Sequence, residues 1–584
     1  MSGEAAVVPG YFRAVALDYD GTLAEGPVDP RVLAALDDAR ERGLKIVLVT
    51  GRIFSELLEV FPGVERHVDA VVAENGAVLV CGPQHRCLCP PVALGLTEAL
   101  ASRGVAYRLG EVLLACSASS ELEVMAEVRR LQLECELIRN RSELMVLPAG
   151  VTKGTGVDQA LCELGISRHN TIGAGDAEND HSLIDATELG YAVANAVPAL
   201  RAHADGVLGQ ADGAGVRELL SGAVLSGHER LPPSRWRINL GSAQDGSPVS
   251  LPASQINVLV AGDTGQGKSY LAGLIAEQLI ALEYSLVVID PEGDHRGLAT
   301  HHAVTVVGGR EAPLPAPNVL LEPIRHGYGS IVVDLSGLGA DARASYLAGV
   351  PAEIEAERAS CGLPQWVVLD EAHAALARGA PGAELLDPAG KGYCAVTWRP
   401  DELAGNVLAS FDAVIGMASP HPSRGLVDVT AAVADVPRAV AARLLQQGRG
   451  HAVLAERHRP GQARVFAIRQ RVTPHLRHEH KYCLVGVDAG RRFYFRDGAD
   501  RLTGAVAGNL MELQGELDRC SEDVVRHHCP SHDFSNWVAN VFRDQALAAE
   551  LFAAESTMQA DSPEAVVQAA RIRLVTALRL RWPE

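Results

Sequence analysis

Short runs rich in apolar residues recur along the chain, and glycine or acidic residues follow most of them. Such runs, at strand length and bounded in this way, are typical of strands buried on both faces of a parallel sheet. The clearest runs cover residues 15–17, 45–49, 258–261, 285–289, 331–333 and 366–369. Helical spacing of apolar residues follows several of these runs. The pattern predicts an α/β protein whose functional residues lie beyond the carboxyl ends of its strands.

The chain has 584 residues, too many for a single hydrophobic core. From the usual size of a domain we expect about three or four domains. A hydrophobic fraction of 47% with 21% charged residues is typical of a globular protein. A proline-containing linker at 231–234 divides the chain. We predict domains at 1–225, with an inserted cap at about 79–148, at 235–472 and at 480–584.

Charge and cysteine content restrict the classes of partner and compartment. The formal net charge of -20 argues against a broad nucleic-acid-binding surface but leaves a narrow basic pore open. The 11 cysteines are scattered without a CxxC pair, which favours reduced thiols over a disulfide framework. No apolar stretch reaches membrane-spanning length, and no targeting pattern stands at the N-terminus. We therefore expect a cytoplasmic protein without membrane contact.

Two carboxylates, Asp18 and Asp20, directly follow the first predicted strand in the sequence D-Y-D-G-T. Carboxylates two positions apart on a glycine-containing turn can share a metal ion and a reacting group. One can attack phosphorus while the other handles the proton. Further polar residues follow predicted strands and turns in this region, namely Thr50, Lys153, Asp176 and Asp180.

These positions together resemble the four motifs of the haloacid dehalogenase (HAD) superfamily, over residues 12–222. The insert between residue 77 and Lys153 has the position of the small αβ cap of Cof-type members. The resemblance implies a Rossmann-like domain that hydrolyses a small phosphomonoester, such as a sugar phosphate, with Mg²⁺ as its cofactor. Because cap residues select the substrate in this family, the substrate itself stays open.

The resemblance also implies a role for each motif residue. Asp18 would be the phosphorylated nucleophile and Asp20 the general acid/base. Thr50 and Lys153 would hold the phosphoryl oxygens. The Mg²⁺ ligands would come from four carboxylates, those of Asp18, Asp20, Asp176 and Asp180, whose oxygen atoms suit a hard cation.

The run at 258–261 leads into G-D-T-G-Q-G-K-S at 262–269, and a helical pattern follows. Glycines let backbone N–H groups turn inward around phosphate oxygens, and the helix N-terminus adds positive partial charge. Lys268 would reach the β- and γ-phosphates, and Ser269 would hold Mg²⁺. The predicted nucleotide-binding residues are Gly262, Asp263, Thr264, Gly265, Gln266, Gly267, Lys268, Ser269 and Asp370.

The run at 366–369 ends in D-E-A-H, and an acidic pair after a core strand suits the second metal contact of such a fold. Asp370 would hold the Mg²⁺ shell through water, and Glu371 would polarise the attacking water. With I-D-P-E-G-D at 289–294 and V-D-L-S-G-L at 333–338, these motifs resemble the HerA/FtsK and VirB4-like branch of P-loop ATPases.

This second resemblance covers about residues 235–470 and implies a RecA-like domain that binds ATP. Family members assemble as hexameric rings that drive DNA or partner proteins, so a homo-oligomer is implied. Trp398 stands where the family usually has a glutamine that senses the γ-phosphate, so we expect ATP binding without fast hydrolysis. Arg399 and Arg449 are candidates for trans-acting arginines or for plain structural ion pairs.

The last region, 480–584, is predicted to be mainly helical and resembles a small helical domain of unknown function. Its histidine- and cysteine-containing stretch at 527–533 is interpreted as packing and helix capping. The leading hypothesis is a Mg²⁺-dependent phosphohydrolase fused to a HerA-like ATPase. Two alternatives stay open: a polynucleotide kinase/phosphatase-type end-repair enzyme, and an ATP-gated scaffold that positions the phosphatase.

Overall fold

The computed structural model describes most of the chain. The described residues are 10–140, 142–309, 312–325, 327, 329–377, 386, 390–473, 487, 489–542, 544–559 and 561–581. These residues form two large sheets, a small cap sheet and a mainly helical C-terminal region. The predicted α/β class is confirmed.

Twelve strands build the described part of the first domain and its cap. In chain order they are β1 (Ala14–Asp18), β2 (Lys45–Val49), β3 (Ala70–Ala73), β4 (Val78–Cys81), β5 (Gln84–Cys87), β6 (Tyr107–Leu109), β7 (Leu114–Ser117), β8 (Cys135–Asn140), β9 (Glu143–Pro148), β10 (Thr171–Gly175), β11 (Leu189–Ala192) and β12 (Gly206–Val207). The main sheet has the order β12-β11-β10-β1-β2-β3-β4-β5, and the antiparallel cap sheet has the order β6-β7-β9-β8. Strands from β12 to β3 run parallel, so β1, β2 and β10 present their carboxyl ends at one edge.

Eight helices accompany these strands in the described part of the domain. They are α1 (Pro30–Glu41), α2 (Phe54–Val60), α3 (Leu94–Ser102), α4 (Glu121–Arg130), α5 (Lys153–Leu164), α6 (His181–Asp185), α7 (Pro198–His203) and α8 (Asp212–Leu220). Helix α5 begins at Lys153 because Thr152 caps it: the Thr152 hydroxyl accepts the N–H of Thr155. The cap (α3, α4 and β6–β9) packs its own apolar cluster, while Met145 and Leu147 of β9 join the core of the main sheet.

The second domain is built on a sheet with the order β14-β13-β23-β22-β21-β15-β20-β19-β16-β18-β17. Its strands are β13 (Arg237–Ala243), β14 (Pro248–Pro252), β15 (Asn257–Ala261), β16 (Leu286–Asp290), β17 (Val304–Gly308), β18 (Ser330–Asp334), β19 (Trp366–Leu369), β20 (Tyr393–Thr397), β21 (Ala413–Met417), β22 (His451–Glu456) and β23 (Ala463–Ile468). The part from β21 to β17 is parallel, and the remaining pairs are antiparallel. Its helices are α9 (Lys268–Ala281), α10 (Glu322–Arg325), α11 (Ala340–Cys361), α12 (His373–Leu376), α13 (Gly405–Ser410), α14 (Arg424–Ala434) and α15 (Arg438–Leu445).

The described part of the C-terminal region combines a hairpin with helices. Its elements are β24 (Phe493–Arg496), β25 (Leu502–Ala507), α16 (Leu510–Arg519), α17 (Glu522–His528), α18 (Asp533–Trp537), α19 (Gln545–Glu555) and α20 (Glu564–Arg581). His528 is buried; its Nδ1 lies 2.7 Å from Asp533 Oδ2, and its Nε2 accepts the N–H of Arg496 at 2.9 Å. Asp533 thus bonds to the imidazole and caps no helix, while packing of the cluster is as expected. Among the described residues, no helix is long and apolar enough to cross a bilayer.

The two α/β domains contact each other through residues that precede the strands of both sheets. Gln365, just before β19, donates its amide to Asn170 Oδ1, just before β10, at 2.9 Å. Tyr284, before β16, donates its hydroxyl to the carboxylate of Glu188, before β11, at 2.9 Å. All four residues are buried. The amino-terminal ends of the parallel strands in the two sheets therefore face each other.

Candidate active sites

Three carboxylates, those of Asp18, Asp176 and Asp180, form one buried cluster at the carboxyl edge of the first sheet. Each offers an oxygen, and these oxygens all lie within 4.8 Å of one another. None of the three residues is more than 3% exposed. They meet because β1 and β10 are neighbouring parallel strands, with Leu17 paired to Ala174. The sequence prediction had placed these residues in one pocket.

Lys153 lies in the same pocket and supplies its positive charge. Its Nζ donates to Asp18 Oδ1 at 2.5 Å and to Asp180 Oδ1 at 2.6 Å. Burial alone would lower the pKa of Lys153, but Asp18 and Asp180 raise it above its usual value. Burial raises the pKa of Asp18 and the charge of Asp180 raises it further, whereas Lys153 lowers it. Three carboxylates beside one ammonium leave an excess of negative charge.

This excess charge and the all-oxygen donor set fit a hard divalent cation such as Mg²⁺. Asp180 has a second task, because its Oδ2 accepts the backbone N–H groups of Asp176 and Ala177, each at 2.9 Å. Its Oδ1 bonds to Lys153. Asp180 thus orients both the loop and the lysine. Asp18 and Asp176 are the carboxylates of the cluster best placed to hold a cation.

Asp20 lies outside this cluster and pairs with Arg52 instead. The Arg52 guanidinium donates to Asp20 Oδ2 from Nε at 2.8 Å and to Oδ1 from Nη2 at 2.5 Å. Thr50 is buried at the end of β2, and its hydroxyl accepts the N–H of Arg52 at 3.1 Å. Arg52 was not singled out from the sequence, although its place two residues after Thr50, at a strand end, was a usable signal.

A short segment, Glu74 to Gly76, ties the cap to the main sheet. The buried Glu74 carboxylate accepts three backbone N–H groups of the β6–β7 turn, those of Glu111, Val112 and Leu113, at 2.8–3.0 Å. Asn75 Oδ1 accepts from Asn179 Nδ2 at 3.1 Å, which links the segment to the loop that carries Asp176 and Asp180. The segment thereby connects the cap to the loop that carries part of the cluster.

Gly76 supports a first prediction, that Gly76→Ala destabilises the fold. Gly76 has φ +108°, and a Cβ there would lie 1.9 Å from the carbonyl oxygen of Thr152, next to Lys153. Left-handed strain plus overpacking should cost about 2–4 kcal/mol of unfolding free energy, measured by urea denaturation. Gly82→Ala is the matched control, because Gly82 has φ +54° with nothing within 4 Å. Equal losses in the two variants would contradict the proposed contact.

The predicted phosphate loop connects β15 to α9, as the sequence suggested. Gly265 and Gly267 adopt φ +78° and +94°, and Lys268 is the first residue of α9. A Cβ at Gly262 would lie 2.5 Å from the Met417 side chain on β21, so glycine is required for this packing. Lys268 Nζ donates to the carbonyl oxygen of Asp263 at 3.3 Å. Thr264 and Gln266 lie on the same turn, and Ser269 is the second residue of α9; all three are partly or fully exposed.

Asp370 and Glu371 follow β19, which is separated from β15 by β20. Asp370 is buried and accepts two hydrogen bonds: its Oδ2 lies 2.9 Å from His295 Nε2, and its Oδ1 accepts the N–H of Glu371 at 2.9 Å. Burial alone would lower the pKa of His295, but Asp370 and Asp290 raise it to about 8. Sequence reasoning missed His295, since no motif pointed to its contact with a residue so distant in the chain.

The structure also places Trp398, which stands where a γ-phosphate-sensing glutamine was expected, and the residues around it. Thr397 is buried at the end of β20, with its hydroxyl 3.4 Å from His373 Nδ1, while Trp398 is 36% exposed. Arg399 pairs with Glu402 at 2.6 Å in the same chain. Arg449 also contacts its own chain: its Nη2 donates to the carbonyl oxygen of Gly265 in the phosphate loop, at 3.1 Å.

The carboxylate pocket and the phosphate loop define a two-part α/β protein, a hydrolase-type domain joined to a phosphate-loop domain. Residues 15–86 and 124–220 match the family model described as haloacid dehalogenase-like hydrolase. Residues 238–336 match the model described as the central domain of helicase HerA.

Similar proteins cover the first domain almost completely. The chain is 31% identical over 224 residues to phosphoglycolate phosphatase 2 of Saccharolobus solfataricus, covering 37% of this chain and 93% of that protein. It is 32% identical over 219 residues to phosphoglycolate phosphatase of Methanothermobacter thermautotrophicus, covering 35% and 96%. A solved haloacid dehalogenase-like hydrolase from Bacteroides thetaiotaomicron aligns with a TM-score of 0.33 at 18% identity, over 36% of this chain and 98% of that chain. The chain belongs to the haloacid dehalogenase-like hydrolase family and carries a HerA-like domain after it.

Proposed function

We propose that the first domain is a Mg²⁺-dependent phosphatase that works through an aspartyl-phosphate at Asp18. The observation that carries this proposal is a buried group of four residues, Asp18, Asp176, Asp180 and Lys153. One divalent cation would neutralise its excess negative charge. A Mg²⁺ ion bound there would polarise the phosphoryl oxygens.

The chain's own residues would perform the remaining steps. An Asp18 oxygen attacks phosphorus, and the bond between phosphorus and the leaving oxygen breaks. Asp20 gives that oxygen a proton and later takes one from the water that hydrolyses the acyl phosphate. Lys153 and Thr50 bind the phosphoryl oxygens. Arg52 binds both oxygens of Asp20 in this structure, so one of these hydrogen bonds must break before Asp20 can carry the proton.

A small phosphorylated carboxylate is the substrate class we propose. The support is that relatives named phosphoglycolate phosphatase align with the first domain over more than nine tenths of their length. We expect kcat/KM for 2-phosphoglycolate to exceed that for hexose 6-phosphate and for p-nitrophenyl phosphate by at least about tenfold, the scale of one or two kcal/mol of differential binding.

The test is phosphate release from this panel by the full chain with Mg²⁺. Asp18→Asn is purified in the same way, and the release that it still gives is subtracted as contaminating activity. A sugar phosphate as the best substrate would overturn the substrate class but keep the phosphatase. Absence of any Asp18-dependent release would overturn the phosphatase itself.

For the second domain we propose binding of ATP with Mg²⁺ at Lys268, Ser269 and Asp370. The support is the glycine-rich loop at the start of α9, because exposed N–H groups at a helix N-terminus attract phosphate. Whether the domain is a DNA-driving hexameric motor or an ATP-gated scaffold is tested by sizing the chain with and without ATP and by DNA-stimulated hydrolysis. Trp398 at the sensor position favours the scaffold. A 5′-hydroxyl kinase assay on oligonucleotides tests the end-repair alternative.

A further inference from the structure

The loop after β16 is held in one conformation by the carboxylate of Asp290. Oδ1 of Asp290 accepts the backbone N–H groups of Gly293 at 2.8 Å and Asp294 at 3.1 Å, and Oδ2 accepts that of His295 at 2.7 Å. Gly293 has φ +82°, which permits the tight turn. Asp290 is fully buried. Its oxygens are therefore committed to the loop's own backbone.

This loop brings His295 to a neighbouring strand. β16 and β19 are parallel partners, with Ile289 paired to Leu369. The Nε2–H of His295 donates to Asp370 Oδ2 at 2.9 Å, because an ionised carboxylate can only accept. His295 is 0% exposed and Asp370 is 5% exposed, so the contact is shielded from water.

Both oxygens of Asp370 are thus engaged, one by His295 and the other by the N–H of Glu371. A carboxylate with a donor on each oxygen cannot rotate about its last bond without losing a hydrogen bond in a buried place, which costs about 1–3 kcal/mol. Partners of this kind orient metal-binding carboxylates in other proteins, where their loss typically weakens metal affinity about 10–100-fold.

The other ring nitrogen of His295 indicates that packing alone does not explain this residue. Nδ1 is buried, and within the described part of the chain it has no hydrogen-bond partner. A buried polar atom left unpaired is unfavourable. An apolar side chain of similar size would fill the space without that cost, so the Nε2 contact is what the histidine contributes.

We propose that His295 is a positioning residue that fixes Asp370 for the Mg²⁺ that accompanies ATP. The proposal rests on the proposed nucleotide site. Asp290 acts indirectly, because its hydrogen bonds to the loop backbone place His295 beside Asp370. His295 contacts the carboxylate and is assigned no contact with nucleotide.

The test compares the affinity of the full chain for a non-hydrolysable ATP analogue with and without Mg²⁺, by calorimetry. We expect His295→Leu to reduce the Mg²⁺-dependent gain in affinity about 10–100-fold. His295→Gln keeps an amide donor at the Nε2 position and should restore most of that gain. His302→Leu is the matched control, because His302 is exposed and lies a few residues further along the chain.

A double-mutant cycle with Asp370→Asn separates positioning from independent effects. If His295 acts through Asp370, the double variant should lose no more of the Mg²⁺-dependent gain than Asp370→Asn alone. An unchanged gain in His295→Leu, failure of glutamine to restore it, or multiplying losses would each overturn the inference. Wild-type chain that binds no ATP analogue under either condition would overturn the nucleotide site itself, which is a different failure.

Discussion

Asp18→Asn is expected to abolish phosphomonoester release, lowering kcat on the order of 10³-fold or more, as loss of a catalytic nucleophile does. An amide oxygen is a poor nucleophile, and the change also removes one of the two carboxylates that bind Lys153 Nζ. Released phosphate from 2-phosphoglycolate and from p-nitrophenyl phosphate measures the effect. Asp38→Asn is the matched control, since that carboxylate is 68% exposed on α1.

The same variant should bind ATP as tightly as the wild type. Asp18 lies at the carboxyl edge of the first sheet, whereas the domains touch at the amino edges, so its loss should not reach the phosphate loop. Calorimetry with an ATP analogue is the measurement. If Asp18→Asn kept phosphatase activity, the nucleophile assignment would be wrong.

Lys268→Ala should have the opposite outcome, with ATP affinity lowered about 10²-fold and phosphatase activity unchanged. Lys268 is 7% exposed at the first position of α9, and loss of a charged hydrogen-bond donor to phosphate costs about 1.5–3 kcal/mol. Arg424→Ala removes a positive charge from the same domain at a side chain that is 84% exposed, and serves as the control.

The pair of variants also tests whether the two sites are independent. If each substitution removed both activities, the two pockets could not be separate units. Coupling across the contact of Tyr284 with Glu188 would then be the structural explanation to examine first.

Sequence patterns were sufficient to find the strands that carry chemistry, because buried parallel strands are nearly continuous apolar runs. For the same reason, the residues at the ends of those strands could be assigned to their pockets from the sequence. Asp18 and Asp176 were assigned to the first pocket and Asp370 to the second. The positions of the outer strands of the second sheet could not be predicted in this way. Strands β22 and β23 pair antiparallel, and their position beside β21 depends on tertiary contacts.

The sequence did not predict which side chains pair with each other. The pairing of Asp20 with Arg52 depends on rotamers, since either carboxylate of D-Y-D-G-T could have pointed into the cluster. The contact of His295 with Asp370 depends on how Asp290 folds a five-residue loop. One contact depends on side-chain rotamers and the other on a loop conformation, and no spacing rule specifies either.

The edge-to-edge contact of the sheets determines how the two halves of this protein can cooperate. β1 and β16 each have five residues, and at roughly 3.3 Å per residue two such strands end to end would span about 30 Å between the pockets. Each pocket lies at the carboxyl ends of its strands, whereas the domains touch through residues that precede the strands. We therefore expect no direct transfer of an intermediate from one pocket to the other. The fusion instead keeps the two domains at a one-to-one ratio and in the same place in the cell.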